Sequence, residues 1–431
     1  MHAGPHVKSR RSKACALAVC GLGMATFSLS TRSLAQEKAT IDTARGPITG
    51  STRRVGLGGA FVAIADDSEG VAINPASSAL RLPYSFSQFD YGLGVDVAIG
   101  AWLPKNDLYN QGDSEGTGKS SALFGSVAAV VYYGHFGVGL AAEAQSNAAS
   151  RTDQAQGISS NLGANFGVVH GTVAYGFLQG QLLLGAGPRF IGMSFDRHGS
   201  GGPLSSAGVG YEAGFVVKPM VAPYRVAAAV KSPISATVPT TDGSVSNNVH
   251  VPWEVSLGFA YQFGKRPLNP PFVTDEELAR SRLLPGKKPD KAQLERAARD
   301  LFDAYEKQQR WYLLISTELG LAQGDGDHVG FERYWTTRGT ASASRPIISP
   351  RIGVESEVVP HILRLRAGSY YEAERVNLTP SRVHGTGGFD VRLFEWNVFG
   401  LIERFDYWQL SVAADVARAY LNTSFSIGFW H

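Results

Sequence analysis

The chain has 431 residues, enough for one large domain or two to three ordinary ones. Fifty glycines and 16 tyrosines against four methionines favour β-structure over a helix bundle, and a charged fraction of 18% suits a surface partly out of water. The formal charge of +3 excludes little, because five of the 40 basic residues (Lys8, Arg10, Arg11, Lys13, Arg32) sit at the N-terminus; without them the chain is near −2, which excludes a nucleic-acid surface read from charge.

Residues 1–35 read as a signal peptide. A basic start is followed by a small and apolar run, Ala14 to Leu29, shorter than the ~20 residues that span a bilayer as a helix. Ser33-Leu34-Ala35 supplies a small-x-small cleavage site before Gln36. Both cysteines, Cys15 and Cys20, lie in this segment, so the mature chain has no thiol. Val19 is too large ahead of Cys20 for a lipoprotein acceptor, and Arg10-Arg11 matches a twin-arginine signal only loosely. An exported, cysteine-free, nearly neutral chain fits a bacterial envelope protein.

From Arg53 to Leu80 several half-motifs crowd together. Gly56-x-Gly58 lacks the third glycine of a dinucleotide loop, since Phe61 stands there and no strand precedes it. Asn74-Pro75-Ala76 resembles the signature of water channels, which requires two copies on membrane helices. Asp66-Asp67 reads either as a cation site or, more simply, as solvated or capping carboxylates. Asn74 is placed to N-cap a short helix with Pro75 in its first position.

Strands follow. The alternation is clearest in Val251 to Phe263, where every odd position is apolar and every even one is small or polar. Similar rows run through Val95, Val97 and Ile99, through Trp311 to Leu321, and from Leu421 to Phe429. Leu363 and Leu365 carry Arg364 and Arg366 on their other face. Strands of about ten residues exceed the usual five or six of soluble sheets and match the 9–11 needed to cross a bilayer. Aromatics near strand ends (Trp102, Tyr132-Tyr133, Trp253, Tyr370-Tyr371, Trp408, Trp430) suit interfacial girdles. The pattern predicts an all-β, antiparallel transmembrane barrel over 83–431, preceded by an N-terminal segment at 36–82. The expected strands lie near 84–103, 121–134, 136–149, 160–176, 180–196, 206–218, 223–233, 250–264, 311–324, 349–358, 361–373, 386–400, 405–417 and 420–430. That is fourteen; a turn at Tyr91 to Gly94 would instead lead to sixteen. A soluble β-protein is the competing class, with less use for so many long strands.

One segment breaks the pattern. Residues 265–310 are punctuated by proline and then helical, with Thr274 and Glu277 as a capping box and Asp290 ahead of a helix whose face carries Leu294, Ala298, Leu301 and Tyr305. Strand parity puts this insert on the periplasmic side, where it either elaborates a turn, covers the barrel exit or meets a periplasmic partner.

Catalytic and metal motifs are weak. Gly112-Asp113-Ser114-Glu115-Gly116 fits G-x-S-x-G without the strand and helix that a nucleophile elbow needs, and Gly118-Lys119-Ser120 lacks the leading glycine of a phosphate loop. The ten histidines form no metal spacing. Glu254, Glu318, Asp390 and Asp415 are expected to line a wet lumen. No catalytic residue, metal or cofactor is assigned.

Taken together, Gly56-Leu57-Gly58-Gly59-Ala60-Phe61, Ala65-Asp66-Asp67 and Asn74-Pro75-Ala76 resemble the N-terminal signature of the FadL-type outer-membrane family, in the same order and spacing. The resemblance implies a fourteen-stranded barrel with this segment folded inside it as a hatch, and passive uptake of hydrophobic small molecules such as long-chain fatty acids or aromatic compounds. It implies a monomer in the outer-membrane lipid. The hatch and ligand-proximal candidates are then Gly56, Gly58, Gly59, Phe61, Asp66, Asp67, Asn74 and Pro75. Polar lumenal candidates are Arg364, Arg366, Arg392 and Glu254, with the first three expected to hold Asp66 and Asp67. PorV-like barrels of protein secretion share the signature, so a docking role in an envelope assembly is the alternative function.

Overall fold

The computed structural model describes residues 40–42, 47–81, 85–100, 117–153, 158–197, 204–238, 247–284, 286–324, 328–330, 346–374, 381–395 and 407–430. The expected signal peptide and the Gly112–Gly116 motif lie outside them.

The described chain begins with β1 (Thr40–Asp42) and then enters the hatch, which contains α1 (Thr52–Gly56), α2 (Asp67–Gly70) and a 3-10 turn at Pro75–Ala79. Next come β2 (Phe89–Gly100), β3 (Thr117–Tyr133), β4 (Phe136–Asp153), β5 (Ile158–Phe177) and β6 (Leu182–Arg197). They are followed by β7 (Leu204–Val217), β8 (Tyr224–Lys231), β9 (Ile234–Val238), β10 (Asn247–Val251) and β11 (Glu254–Gly264). The insert holds α3 (Asp275–Ser281) and α4 (Lys291–Glu306). After it run β12 (Tyr312–Ala322), β13 (His328–Gly330), β14 (Ile347–Val359) and β15 (Leu363–Glu372). The chain closes with β16 (Arg382–Glu395), β17 (Tyr407–Ala417) and β18 (Tyr420–Trp430).

Fourteen of these strands close into one antiparallel barrel, in the order β11, β12, β14 to β18, β2 to β8. They are the fourteen expected from alternation. β2 runs unbroken through Tyr91 to Gly94, which removes the sixteen-stranded alternative. The Gly118-Lys119-Ser120 tripeptide lies within β3, so no helix follows it and no phosphate loop can form there.

Alternation becomes inside and outside. On β2, Leu93, Val95 and Val97 point outward and are exposed, while Asp96 and Ala98 are buried in the lumen. On β12, Leu313 and Leu319 are outward; Tyr312, Leu314, Ser316 and Glu318 are inward and buried. Leu123, Val127, Leu140, Val173, Phe190, Phe259, Ile352 and Ile427 extend the outer row around the barrel. An apolar belt of this extent is far larger than a water-exposed surface tolerates, so the wall faces lipid and the protein is a membrane barrel. The girdle expectation holds for one member of each tyrosine pair: Tyr133 and Tyr371 are exposed, whereas Tyr132 and Tyr370 are buried inside. Neighbours on a strand must face opposite ways.

The two ends of the barrel differ. Tight turns at 134–135, 178–181, 218–223 and 360–362 and the helical insert share one end, called here the turn end. At the loop end a second sheet forms, in the order β13, β1, β10, β9, with β1 parallel to both its neighbours. Alternation alone did not reveal this sheet, because its strands are only three to five residues long. Ile234 of β9 fills the space left by Gly208 and Gly210 on β7, and it joins Ala164, Val168, Ile191, Met193, Val249 and Val251 in an apolar cluster inside the wall.

Candidate functional site

The hatch runs from the loop end to the turn end through the lumen, and among the described residues it is the best-buried stretch. Leu57, Phe61, Val62, Ala63, Ile64, Ala65, Ala76 and Leu80 are all at most 1% exposed and form one core with Ala260, Tyr312 and Leu314 of the wall. Local sequence explains its shape. Ser51 caps α1 by accepting from the Arg54 N–H. Gly58 and Gly59 then turn the chain at φ +60° and +75°, a region that glycine enters without penalty. Asn74 Oδ1 accepts from the Ala76 N–H at 3.1 Å with Pro75 in the first position of the 3-10 turn, as the sequence predicts.

Small residues on the wall let the hatch backbone touch it. A Cβ on Gly368 would lie 2.4 Å from the Leu57 carbonyl carbon, and one on Gly353 would lie 2.5 Å from the Leu57 oxygen. Across the lumen, a Cβ on Gly137 or Gly185 would collide with the backbone of Ser78 or of Pro75. Glycines of the hatch were legible as a motif; the wall glycines that receive it were not, since strand periodicity does not say which lumenal positions face a plug.

Polar groups fix the register of hatch against wall. Thr52 N donates to Asp96 Oδ1 at 2.8 Å. Glu318 Oε2 accepts from both the Phe61 and Val62 N–H groups at 3.0 and 2.9 Å, while Oε1 accepts from Ser256 Oγ and from Arg351. Asn74 Nδ2 donates to Phe215 O at 3.2 Å, Ser78 Oγ lies 2.6 Å from Thr172 Oγ1, and Lys231 Nζ donates to Ala72 O at 2.8 Å. Thr386 Oγ1 donates to the Gly56 carbonyl at 3.1 Å.

The main electrostatic tie reverses the expected polarity. The hatch supplies the cation and the wall the anion: Arg53 binds Glu355 through Nε at 2.8 Å and Nη2 at 2.9 Å, a two-point contact. Asp66 pairs with Arg53, at 2.5 Å, rather than with a wall arginine. Arg366 binds Glu355 and Asp390, and Arg364 binds Asp390. Arg392 lies with its guanidinium 3.3 Å from the Tyr407 ring centre on the neighbouring strand. The carboxyl of Asp67 sits against Gly92 of β2. The reason for the reversal is spacing: Arg53 and Asp66 face each other across the hatch's own turn, while Arg364 and Arg366 already have the wall carboxylate Asp390 beside them and Arg392 lies against Tyr407.

The other site expectations divide. Glu254 begins β11 at the loop end, opposite Lys231 and Ala322. Glu318, Asp390 and Asp415 do not line open water; each is buried and engaged, Asp415 with His384 Nδ1 at 2.8 Å and Tyr370 Oη at 2.6 Å. Phe61, one of the expected ligand-proximal residues, is packed into the hatch core with the Arg53 guanidinium 5.6 Å from its ring centre.

Three cavities bounded by described residues open around the hatch. One, of ≈660 Å³, lies on its turn-end side between Arg53, Asp66, Arg81, Arg225, Arg266 and Glu355. A second, of ≈360 Å³, includes Arg81, His135, Lys218 and Phe272. The third, of ≈450 Å³, sits where the barrel closes. There β18 pairs with β2 only from Thr423–Ile99 to Ile427–Val95, although both strands continue toward the turn end. Its lining takes residues from both faces of these strands, outward Leu93 and Ile427 as well as inward Asp96 and Ser426, together with Glu69 of the hatch.

The sequence matches no protein-family model and no curated protein. The structure is similar to that of a FadL homologue from Pseudomonas aeruginosa, at a TM-score of 0.53 and 13% identity, covering 90% of this chain and 98% of that one. It is also similar to CymD, a monoaromatic hydrocarbon channel, at a TM-score of 0.50 and 13% identity, covering 90% and 97%. The chain therefore has the FadL-type barrel fold.

Proposed function

We propose that this chain is a passive outer-membrane channel through which hydrophobic small molecules, long-chain fatty acids or aromatic compounds, enter the cell. The observation that carries the reading is the hatch: a small-residue segment with a buried core is docked inside a lipid-facing barrel by hydrogen bonds and ion pairs spaced along its length. Such a plug denies water and ions an open pore while leaving apolar surfaces for a hydrophobic guest. The fold shared with a hydrocarbon channel supports the same reading. The loop end then faces outside and the turn end the periplasm. The shortened β18–β2 pairing offers a way from the hatch into the bilayer. No energy-coupling element enters the proposal; the gradient drives uptake.

The competing role, a docking barrel that uses the insert as its contact surface, separates in one comparison. Cells expressing the full chain and cells expressing a chain with residues 270–308 replaced by a short glycine-serine linker are given radiolabelled oleate and toluene. Uptake above the empty-vector level by both is the expected result. No uptake by the correctly folded full chain, shown by heat-dependent gel mobility, contradicts the channel reading.

A further inference from the structure

The cavity on the turn-end side of the hatch is lined by five arginines, Arg53, Arg81, Arg225, Arg266 and Arg364, against two acids, Asp66 and Glu355. Three of the five are committed to carboxylates: Arg53 to Glu355 and Asp66, Arg266 to Glu357 at 3.1 Å, and Arg364 to Asp390. The other two are not. Arg225 Nε donates to Asn269 Oδ1 and Nη2 to Leu268 O, both at 2.8 Å. Arg81 Nη2 donates to the carbonyls of Ser87 and Gln88, and its guanidinium lies 4.5 Å from the Phe272 ring centre. All of these partners are neutral.

Both side chains are more than nine-tenths buried, and both keep buried donors without a partner: Nη1 of Arg225, and Nε and Nη1 of Arg81. A buried guanidinium whose hydrogen-bond partners are all neutral, and which keeps an unmet donor, is costly unless an anion completes it. The surroundings hold these groups in place. Asn269, which positions Arg225, donates to Ala222 O and Tyr224 O at 2.9 and 2.8 Å and so pins the insert's first residues beneath the barrel. Pro267 and Leu268 from that stretch, with Ile64, Leu80 and Leu314, give the same cavity apolar walls. An oxyanion cradle beside apolar surface matches one ligand chemistry, the anionic head of an amphiphile.

We propose that Arg225 and Arg81 form a binding site for an amphiphile's carboxylate or phosphate on the turn-end side of the hatch, covered by the insert segment from Arg266 to Asn269. The site rests on the channel reading only for what brings the ligand there; it is tested by binding, not transport, so either idea can fail alone. Two sources share this chemistry, a fatty acid from the lumen and a phospholipid headgroup from the membrane.

The test uses the full chain in dodecyl maltoside, a neutral detergent, titrated calorimetrically with sodium dodecanoate, dodecyl phosphate and dodecanol. Binding of the two anions at least tenfold tighter than dodecanol is expected, and Arg225→Gln should lose that preference. Because removing a buried arginine can disturb folding, a second variant adds the anion internally. Gln262→Glu places a carboxylate on the cavity wall; it should abolish dodecanoate binding while leaving heat-dependent mobility intact. Native mass spectrometry of protein extracted with phosphatidylglycerol separates the sources. Lipid retained by the wild type, lost in Arg225→Gln and displaced by dodecanoate assigns a membrane headgroup; no such retention assigns a lumenal fatty acid. Equal affinity for dodecanoate and dodecanol, or undiminished anion binding in both variants, overturns the proposal.

Discussion

Glu318 shows how much one wall side chain does for the hatch. Its carboxylate accepts two consecutive backbone N–H groups, at Phe61 and Val62, in a place where water cannot replace it. Glu318→Ala leaves both donors unmet, at about 1–3 kcal/mol each. Amide hydrogen exchange at Phe61 and Val62 is expected to speed up at least tenfold while the wall strands stay protected; unchanged exchange would show that the contact is dispensable. Lys218 is informative at the turn end. It is half-buried beside the cation Arg225, and burial first, then that neighbour, push its amine down to about 7. In the unfolded chain the amine keeps its ordinary value near ~10.4, so between roughly pH 7 and 10 the unfolded state binds the extra proton. The Lys218 contribution to barrel stability is therefore expected to improve as pH rises through that window and to be least favourable below it. NMR of the dimethylated lysine reads the amine directly; an ordinary titration above pH 9.5 would contradict this.

At the scale of elements, the sequence made regular features legible and hid the contacts between them. Fourteen strands were readable because a lipid-facing row and a lumenal row impose a period of two on each. The caps of α3 and α4 were readable as well: Thr274 and Glu277 exchange both capping bonds, and Asp290 does the same with Gln293. The loop-end sheet was not, because three-residue strands carry no period. Nor was the tie between hatch and wall, where the signature's aspartates drew attention while Arg53 and Glu355, 302 residues apart, made the bond. Charge alone names candidates for pairing; which of them meet depends on register. The wall glycines give this a direct check. Gly368→Ala puts a methyl against the Leu57–Gly58 backbone and is expected to displace the hatch, whereas Gly385→Ala, one strand over with open space around it, is expected to do nothing. Susceptibility of the segment 47–80 to an added protease in folded barrels measures the difference. Equal resistance in the two variants would mean that the hatch does not need this close approach.

On the scale of the whole molecule, two properties have to coexist. The lumen holds a plug with a near-fully buried core, and the wall presents a continuous apolar surface to lipid. A porin-like barrel would have the second without the first, and its polar lumen would pass ions freely. The hatch therefore carries the functional distinction, and the two properties can be read together in one preparation. Proteoliposomes containing the purified chain, loaded with a potassium-sensitive dye, are mixed with radiolabelled oleate, and ion leak and oleate entry are followed side by side. Oleate entry several-fold above protein-free vesicles, with ion leak no greater than theirs, is expected. Ion leak without oleate entry, or an absence of both from correctly folded barrels, would contradict it.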